Sequence, residues 1–482
     1  MKASFPLARY AAQHWIKHIC SAGKTETQSS SVFALMMKLL ADENGAFVNW
    51  VRIHDIDKHI HQRDHIAKPL YYASLAGLTQ ASYALFEMGA DINAQGGRCG
   101  NALQAASYGG HKEIAKLLIK KGADVNAQGG LYGNALQAAS YRGHKAIAKL
   151  LIEKGGDINA QGGYYQNALR AASYGGHEAI AKLLIEKGAD VNAQIRFFQD
   201  ALEAAFHQGH EAIVKLLIEK GAYVNKRRGH YKNILWEASW CGYEAITKLL
   251  IEKGADVNEQ GGVYGNALQA ASFRGHEAIA KLLIEKGADV NAKGGKHENA
   301  LQAALDEGYE AIAKLLIEKG ADVNAQGGTY GNALQEASHG GHEAITKLLI
   351  EKGGDVNAQG GHYGNALGAA SYGGHEAIAK LLIGKGADAN AQGGRYGNAF
   401  QAASYGGHKE IAKLLIEKGA DVNAQGGLYG NALQAASYRC CEEMAKLLIE
   451  KGADVNAQGG LYGNALGAAS YGGHEAIAKF TW

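Results

Sequence analysis

Two apolar patterns alternate along most of this chain, and each predicts a short helix. In one, Ile114, Leu117 and Leu118 fall at i, i+3 and i+4, with Ala115 and Ile119 widening the apolar face and Lys116, Lys120 and Lys121 keeping the far side polar. That is an amphipathic helix beginning near His111. In the other, Ala102, Leu103, Ala105 and Ala106 form a thin apolar flank whose small side chains let neighbours approach closely. Asn101 and Gln104 have capping-box spacing, in which the Asn101 side chain accepts from the amide near Gln104 and Gln104 reaches back. Gly109 and Gly110 end this slim helix, and Gly122 supplies the left-handed stop of the amphipathic one. Ala123-Asp124-Val125-Asn126 then leads into a projecting loop, Ala127 to Gly133, whose glycines permit positive φ.

The segment opening at Asn101 returns at Asn134, Asn167, Asp200, Asn233, Asn266, Asn299, Asn332, Asn365, Asn398, Asn431 and Asn464, always 33 residues apart. Extended backwards, the frame reaches Lys68-Pro69-Leu70-Tyr71-Tyr72-Ala73-Ser74, which opens a more divergent copy. The expected fold is all-α. Residues 68–482 form a solenoid of thirteen helix–turn–helix repeats starting at 68, 101, 134, 167, 200, 233, 266, 299, 332, 365, 398, 431 and 464, with projecting hairpin-like loops and a truncated last copy. Residues 1–67 form a helical flank, with helices around Pro6 to Cys20 and Ser30 to Leu40, that covers the open side of the first repeat. One repeat cannot bury both of its helix flanks, so stability comes mainly from the interfaces between neighbours.

Composition matters here chiefly for what it removes. The 66 glycines of the 482 residues mostly occupy the same turn positions in each repeat, so they are punctuation and not disorder. With 49 basic against 47 acidic residues, balanced within each repeat, no basic stripe forms, and nucleic acid is not an expected partner. No stretch approaches the roughly 20 apolar residues of a membrane span, and no signal-peptide core is visible, so no membrane is expected. Cys20, Cys99, Cys241, Cys440 and Cys441 lack C-x-x-C spacing and suit a reducing intracellular setting, the cytoplasm ahead of the nucleus.

Chemical sites fare no better. Gly23-Lys24-Thr25 looks like the tail of a phosphate loop, but His18 stands where its first glycine belongs and no apolar strand precedes it. The histidines at 111, 144, 177, 210, 276, 342, 375, 408 and 474 lack the i, i+4 partner or cysteine pair of a zinc site and read as packing residues. Vicinal Cys440 and Cys441 read as an interruption of the usual Gly-His by drift, ahead of a redox pair. No catalytic, cofactor-binding or metal-binding residue is assigned, and no enzyme activity is expected.

The run from Gly176-His177 through Ile180-Ala181-Lys182-Leu183-Leu184-Ile185-Glu186-Lys187-Gly188-Ala189-Asp190-Val191-Asn192 resembles the second half of an ankyrin repeat. The first helix departs from that family, carrying Asn-Ala-Leu-Gln where Thr-Pro-Leu-His is usual; only Lys68-Pro69-Leu70-Tyr71 stays closer. The variant, its Gly-Gly-x-Tyr-Gly loop, and the preceding Asn49-Trp50-Val51-Arg52 also resemble the C-terminal arm of fungal NACHT-ankyrin proteins. That resemblance implies a ligand-sensing arm in a NOD-like receptor system, whose NTPase module is not among these residues.

Function then rests on recognition of a protein partner. The copies agree in the second helix and vary at the end of the first, as at Tyr141 and Arg142, His207 and Gln208, Trp240 and Cys241, Phe273 and Arg274, and Asp306 and Glu307. They vary again at loop tips such as Leu131, Tyr164, Val263, Lys296, Thr329 and Arg395. Phe197, Phe198, Phe206, His207, Arg227, Arg228, His230, Tyr231, Trp236 and Trp240 gather aromatic and basic side chains in two adjacent repeats and are the candidate partner-binding residues. Open beside this stands a packing role, above all for Trp236 in the usual place of glutamine. A monomer is expected. The alternative is a structural spacer or self-assembling scaffold, pairing through an apolar end where the last copy stops at Trp482.

Overall fold

A computed structural model describes residues 29–41, 66–193, 200–225, 233–327 and 330–479. The expected helix from Pro6 to Cys20, the Gly23-Lys24-Thr25 segment, Asn49 to Arg52, Thr329 and the last three residues lie outside the described residues. The chain forms two compact bodies, Met1–Tyr223 and Val224–Trp482.

Within each body the predicted pairs of helices recur. In the N-terminal body the repeat from Asn101 has its first helix at Ala102–Gly109 and its second at Lys112–Lys120; in the C-terminal body the repeat from Asn398 has them at Ala399–Gly406 and Lys409–Glu417. First helices pack directly on one another and second helices touch less. The first helix is therefore more enclosed than its thin apolar flank implied: Ala102 through Ser107, Gln104 included, are all buried. In the second helix Ile114, Ala115 and Leu118 are buried while Leu117 and Ile119 are only half-buried, so the core face is centred nearer Ala115 than expected.

The capping box is largely rewired. Asn101 Oδ1 accepts from the Gln104 amide at 2.9 Å as expected. The Gln104 side chain, however, does not turn back; its Nε2 donates to the carbonyls of Ala127 and Gly133, both at 3.0 Å, in the loop leading to the next repeat. Gln137, Gln401 and Gln434 do the same. Among the described residues the reciprocal bond of a full capping box accompanies this clamp only at Gln269 and Gln335. A buried amide that satisfies several loop carbonyls at once explains why this position is glutamine, since each such carbonyl left unpaired would carry a desolvation penalty. In the first repeat Tyr71 takes the position, and its hydroxyl accepts from the Cys99 amide at 3.1 Å.

Two further ladders join the repeats. The Asn126 side chain donates to the Gly155 carbonyl at 3.0 Å and accepts from the Asp157 amide at 2.7 Å; Asn423 makes the same pair to Gly452 and Asp454 in the C-terminal body. His144 Nε2 lies 3.1 Å from the Tyr108 carbonyl of the preceding repeat, and His177, His276 and His408 make the equivalent bond. Donation to a carbonyl requires the Nε2–H form, so the periodic histidines act as inter-repeat ties. Ahead of the first repeat, the helix Ser29–Ala41 packs against Thr79–Glu87, and Leu40 is buried.

Candidate functional site

The loops are hairpins, and they are not independent fingers. Gly129 bridges Gly133, Gly360 bridges Gly364 and Gly426 bridges Gly430, all antiparallel. Their tips then bond from one repeat to the next: the Leu131 amide donates to the Arg98 carbonyl at 2.7 Å, Tyr164 to Leu131 at 2.7 Å, Arg395 to His362 at 2.8 Å, and Leu428 to Arg395 at 2.8 Å. This ribbon requires close backbone approach. A Cβ on Gly427, at φ +62°, would sit 2.3 Å from the Tyr396 carbonyl carbon of the preceding loop, which is why glycine occupies that position. At the tips Leu131, Tyr164, Val263 and Leu461 are exposed.

Beside the ribbon runs a seam of stacked rings. Each ordinary repeat supplies one aromatic at the end of its first helix and one in its loop, and the two columns interleave. In the N-terminal body Tyr108, Tyr132, Tyr141, Tyr165 and Tyr174 follow one another with ring centroids 4.5 to 5.7 Å apart. The C-terminal body has Trp236, Trp240, Tyr264, Phe273 and His297 at 4.6 to 5.5 Å, and from Tyr330 and His339 through Tyr363, Tyr372, Tyr396, Tyr405, Tyr429, Tyr438 and Tyr462 to Tyr471 the spacing is 4.7 to 5.2 Å. Rings at these separations gain stacking energy beyond their burial. Loop tyrosines Tyr132, Tyr165, Tyr363, Tyr396 and Tyr429 are buried while the helix-end tyrosines are half-exposed, or fully exposed at Tyr471, so the seam shows solvent mainly the helix-end column. Burial first, then a hydrogen bond to the helix-end tyrosine of the same repeat, raises the Tyr132, Tyr165 and Tyr396 hydroxyls well above their ordinary range.

Arginines cap this seam from the repeat that follows: Arg142 lies 4.8 Å over Tyr108, Arg274 5.0 Å over Trp240 and Arg439 4.9 Å over Tyr405. The variable residues at the end of the first helix therefore lie over the rings themselves.

One helix-end position breaks the seam. Asp306 stands where its neighbours carry a ring, and the stack stops at His297 and resumes at Tyr330 among the described residues. Asp306 Oδ2 lies 3.3 Å from His297 Nδ1. Behind it Glu336, 7% exposed, replaces the alanine common at this position and shares a hydrogen bond with Asp306. Burial and the neighbouring carboxylate push the Glu336 carboxyl up to about 9, so it holds a proton at neutral pH. Burial likewise lowers the His297 imidazole, with Asp306 opposing.

Of the candidate binding residues, Phe197, Phe198, Arg227, Arg228, His230 and Tyr231 lie outside the described residues. Phe206 and His207 belong to the N-terminal body, Phe206 buried and His207 exposed, with its Nε2 3.9 Å from Glu203. Trp236 and Trp240 belong to the C-terminal body and stack on each other at 5.5 Å. Trp236 is buried in the usual place of glutamine, with the backbone of Gly262 against its ring, whereas Trp240 is half-buried in the exposed column. Sequence reasoning did not find the seam or the Asp306–Glu336 pair. The signals were present: two tyrosines per repeat nine residues apart, such as Tyr132 and Tyr141, and a glutamate at Glu336 where most repeats have alanine.

Stacked helix–turn–helix repeats joined by amide ladders, with a hairpin ribbon along one edge, define a helical-repeat solenoid protein. Among the described residues no group of three or more His, Cys, Asp or Glu side chains is placed to hold a metal ion, and no helix is long and apolar enough to cross a membrane. The family model for ankyrin repeats (3 copies) matches residues 35–129, 103–195, 171–261, 235–327, 327–393, 367–459 and 399–480. The chain belongs to the ankyrin-repeat family, whose members generally mediate protein–protein interaction. It is similar to azaphilone pigments biosynthesis cluster protein L of Monascus ruber, 41% identical over 119 residues. That match covers 21% of this chain and 24% of the relative, so the chain spans about a quarter of the curated relative's length.

Proposed function

We propose that this chain is a non-catalytic scaffold that binds a partner protein across the half-exposed ring edges of the aromatic seam and the loop-tip ribbon beside it. The observation that carries this reading is the seam. Its rings are held by their neighbours, so they present large amphipathic contact area and have little freedom left to lose when a partner docks. Exposed Leu131, Tyr164, Val263 and Leu461 extend the apolar edge along the tips.

Phe197, Phe198, Phe206, His207, Arg227, Arg228, His230, Tyr231, Trp236 and Trp240 are the residues we propose for partner binding, on the aromatic and basic character of their stretch of sequence. Trp240 supplies an accessible ring edge, while buried Phe206 and Trp236 act by holding their neighbours. The protein works as a cytoplasmic monomer, and residues 1–67 cap the first repeat, a role supported by the packing of the helix Ser29–Ala41. Its place is the ligand-sensing arm of a fungal NOD-like receptor system, supported by the Asn-Ala-Leu-Gln repeat variant and by the fungal origin of the similar protein.

The test is affinity capture from the native cell, read by mass spectrometry, with the wild type and a chain carrying Trp240→Ala, Arg227→Ala and Phe198→Ala. The expected result is a partner captured by the wild type and lost from the variant, while the two melt alike. Equal capture removes the hot spot.

A further inference from the structure

The break in the seam at Asp306 is unlike its surroundings in three respects. A carboxylate replaces a ring, a second and buried carboxyl from Glu336 stands behind it, and rings remain on both sides, His297 before and Tyr330 and His339 after. The same chain shows what these rings accept. Arg142, Arg274 and Arg439 each reach back 34 residues to cover a helix-end ring of the preceding repeat. The position 34 residues after Asp306 is Gly340, which is exposed and brings no side chain. The chain thus leaves uncovered the one helix-end position of this body where the charge is negative.

We propose that the interruption at Asp306 is a specificity pocket of the recognition face and receives a lysine or arginine side chain of the partner, with Asp306 pairing the charge and the His297 and Tyr330 rings flanking the stem. This rests on the recognition reading above and names the chemistry of its partner. A carboxylate attracts a cation by charge, and a neighbouring ring adds to this through the negative face of its quadrupole. The other groups around the pocket are Lys296 and Glu307, which oppose each other, and His339, which burial keeps toward the neutral form. Glu336 adds a signature. Its carboxyl is protonated beside the Asp306 carboxylate, and a cation arriving there favours its ionised form, so the O–H proton leaves to buffer as the partner side chain docks.

The experiment selects a displayed library of random peptides of about ten residues, long enough to span several repeats when extended, on the full-length chain. The comparison chains are Asp306→Tyr, which restores a ring, and Asp306→Asn, which removes the charge with little change of shape. The expected wild-type pool carries lysine or arginine at one fixed position. Replacing that residue by norleucine in the best peptide weakens binding about tenfold or more to the wild type, and leaves binding to either variant nearly unchanged. Titration calorimetry in two buffers of different ionisation heat is expected to register proton release near neutral pH for the wild type and none for Asp306→Tyr. A pool without basic preference, or one whose preference persists in both variants, overturns the pocket alone. A library yielding no binder overturns the recognition reading on which the pocket rests.

Discussion

Glu336 concentrates the chemistry of the molecule in one side chain. In an unfolded chain its carboxyl titrates near the ordinary 4.5, whereas in the fold burial and Asp306 raise it to about 9. The folded state therefore holds the proton more tightly. The contribution of this group is fully present below pH 4.5 and is lost as the pH rises toward 9. Alanine, the residue of most other repeats here, has no proton to hold. Glu336→Ala is expected to stabilise the protein by an amount that grows across that interval, on the order of 3 kcal/mol near pH 8. Melting curves of the two chains at several pH values check this, and a difference that stays constant with pH contradicts it. Residue types alone could not reveal such a group. Glu336 was readable as a departure from alanine, but its burial and its pairing with Asp306, a side chain of the preceding repeat, depend on how repeats stack. Trp236 shows the opposite case, since glutamine in most other copies already marked its position as one that fills space.

At the scale of helices and loops, the paired helices of the array were legible because most carry their own start and stop: an asparagine cap on the first helix, a glycine end, an amphipathic face on the second. What joins them was misjudged. Gln104 and its equivalents serve the next loop more than their own helix, a role that spacing within one helix cannot display. The same clamp locates a soft point at the repeat from Asn365. Gly384 is the last residue of its helix, with open space around it, so its helical cost is smaller than the roughly 1 kcal/mol of an interior glycine. Gly368 is the stronger cause: it keeps the cap bond from Asn365 but has no side chain to clamp the following loop, as Gln401 does to Ala424 and Gly430. Ala389 further thins the packing where other repeats carry valine or isoleucine. Hydrogen exchange is expected to be faster in residues 391–397, the loop that follows Gly368, than in residues 424–430, which Gln401 holds. Equal protection of the two loops would contradict this.

At the scale of the whole molecule, stability and recognition draw on different parts of the repeat. Identity between copies preserves the buried first helices, the asparagine and histidine ties and the glycine contacts between loops, because a ladder works only if each rung meets the next. Difference between copies collects on the ring edges and tips, where Arg142, Trp240, Arg274, Asp306 and Arg439 vary without disturbing the rungs. Period and cap residues made the array legible from the chain alone. The seam was not, since stacking joins residues from neighbouring repeats and needs the inter-repeat distance. The most direct measurement is site-specific photocrosslinking in the native cell, with a photoreactive phenylalanine at Trp240, Tyr405 or Tyr438 on the seam, or at Lys413 or Lys446 on the second helices. The expected result is a discrete crosslinked partner from the seam positions and none from the second helices. Crosslinking from Lys413 and Lys446 with a silent seam would contradict the assignment of recognition to the ring edges.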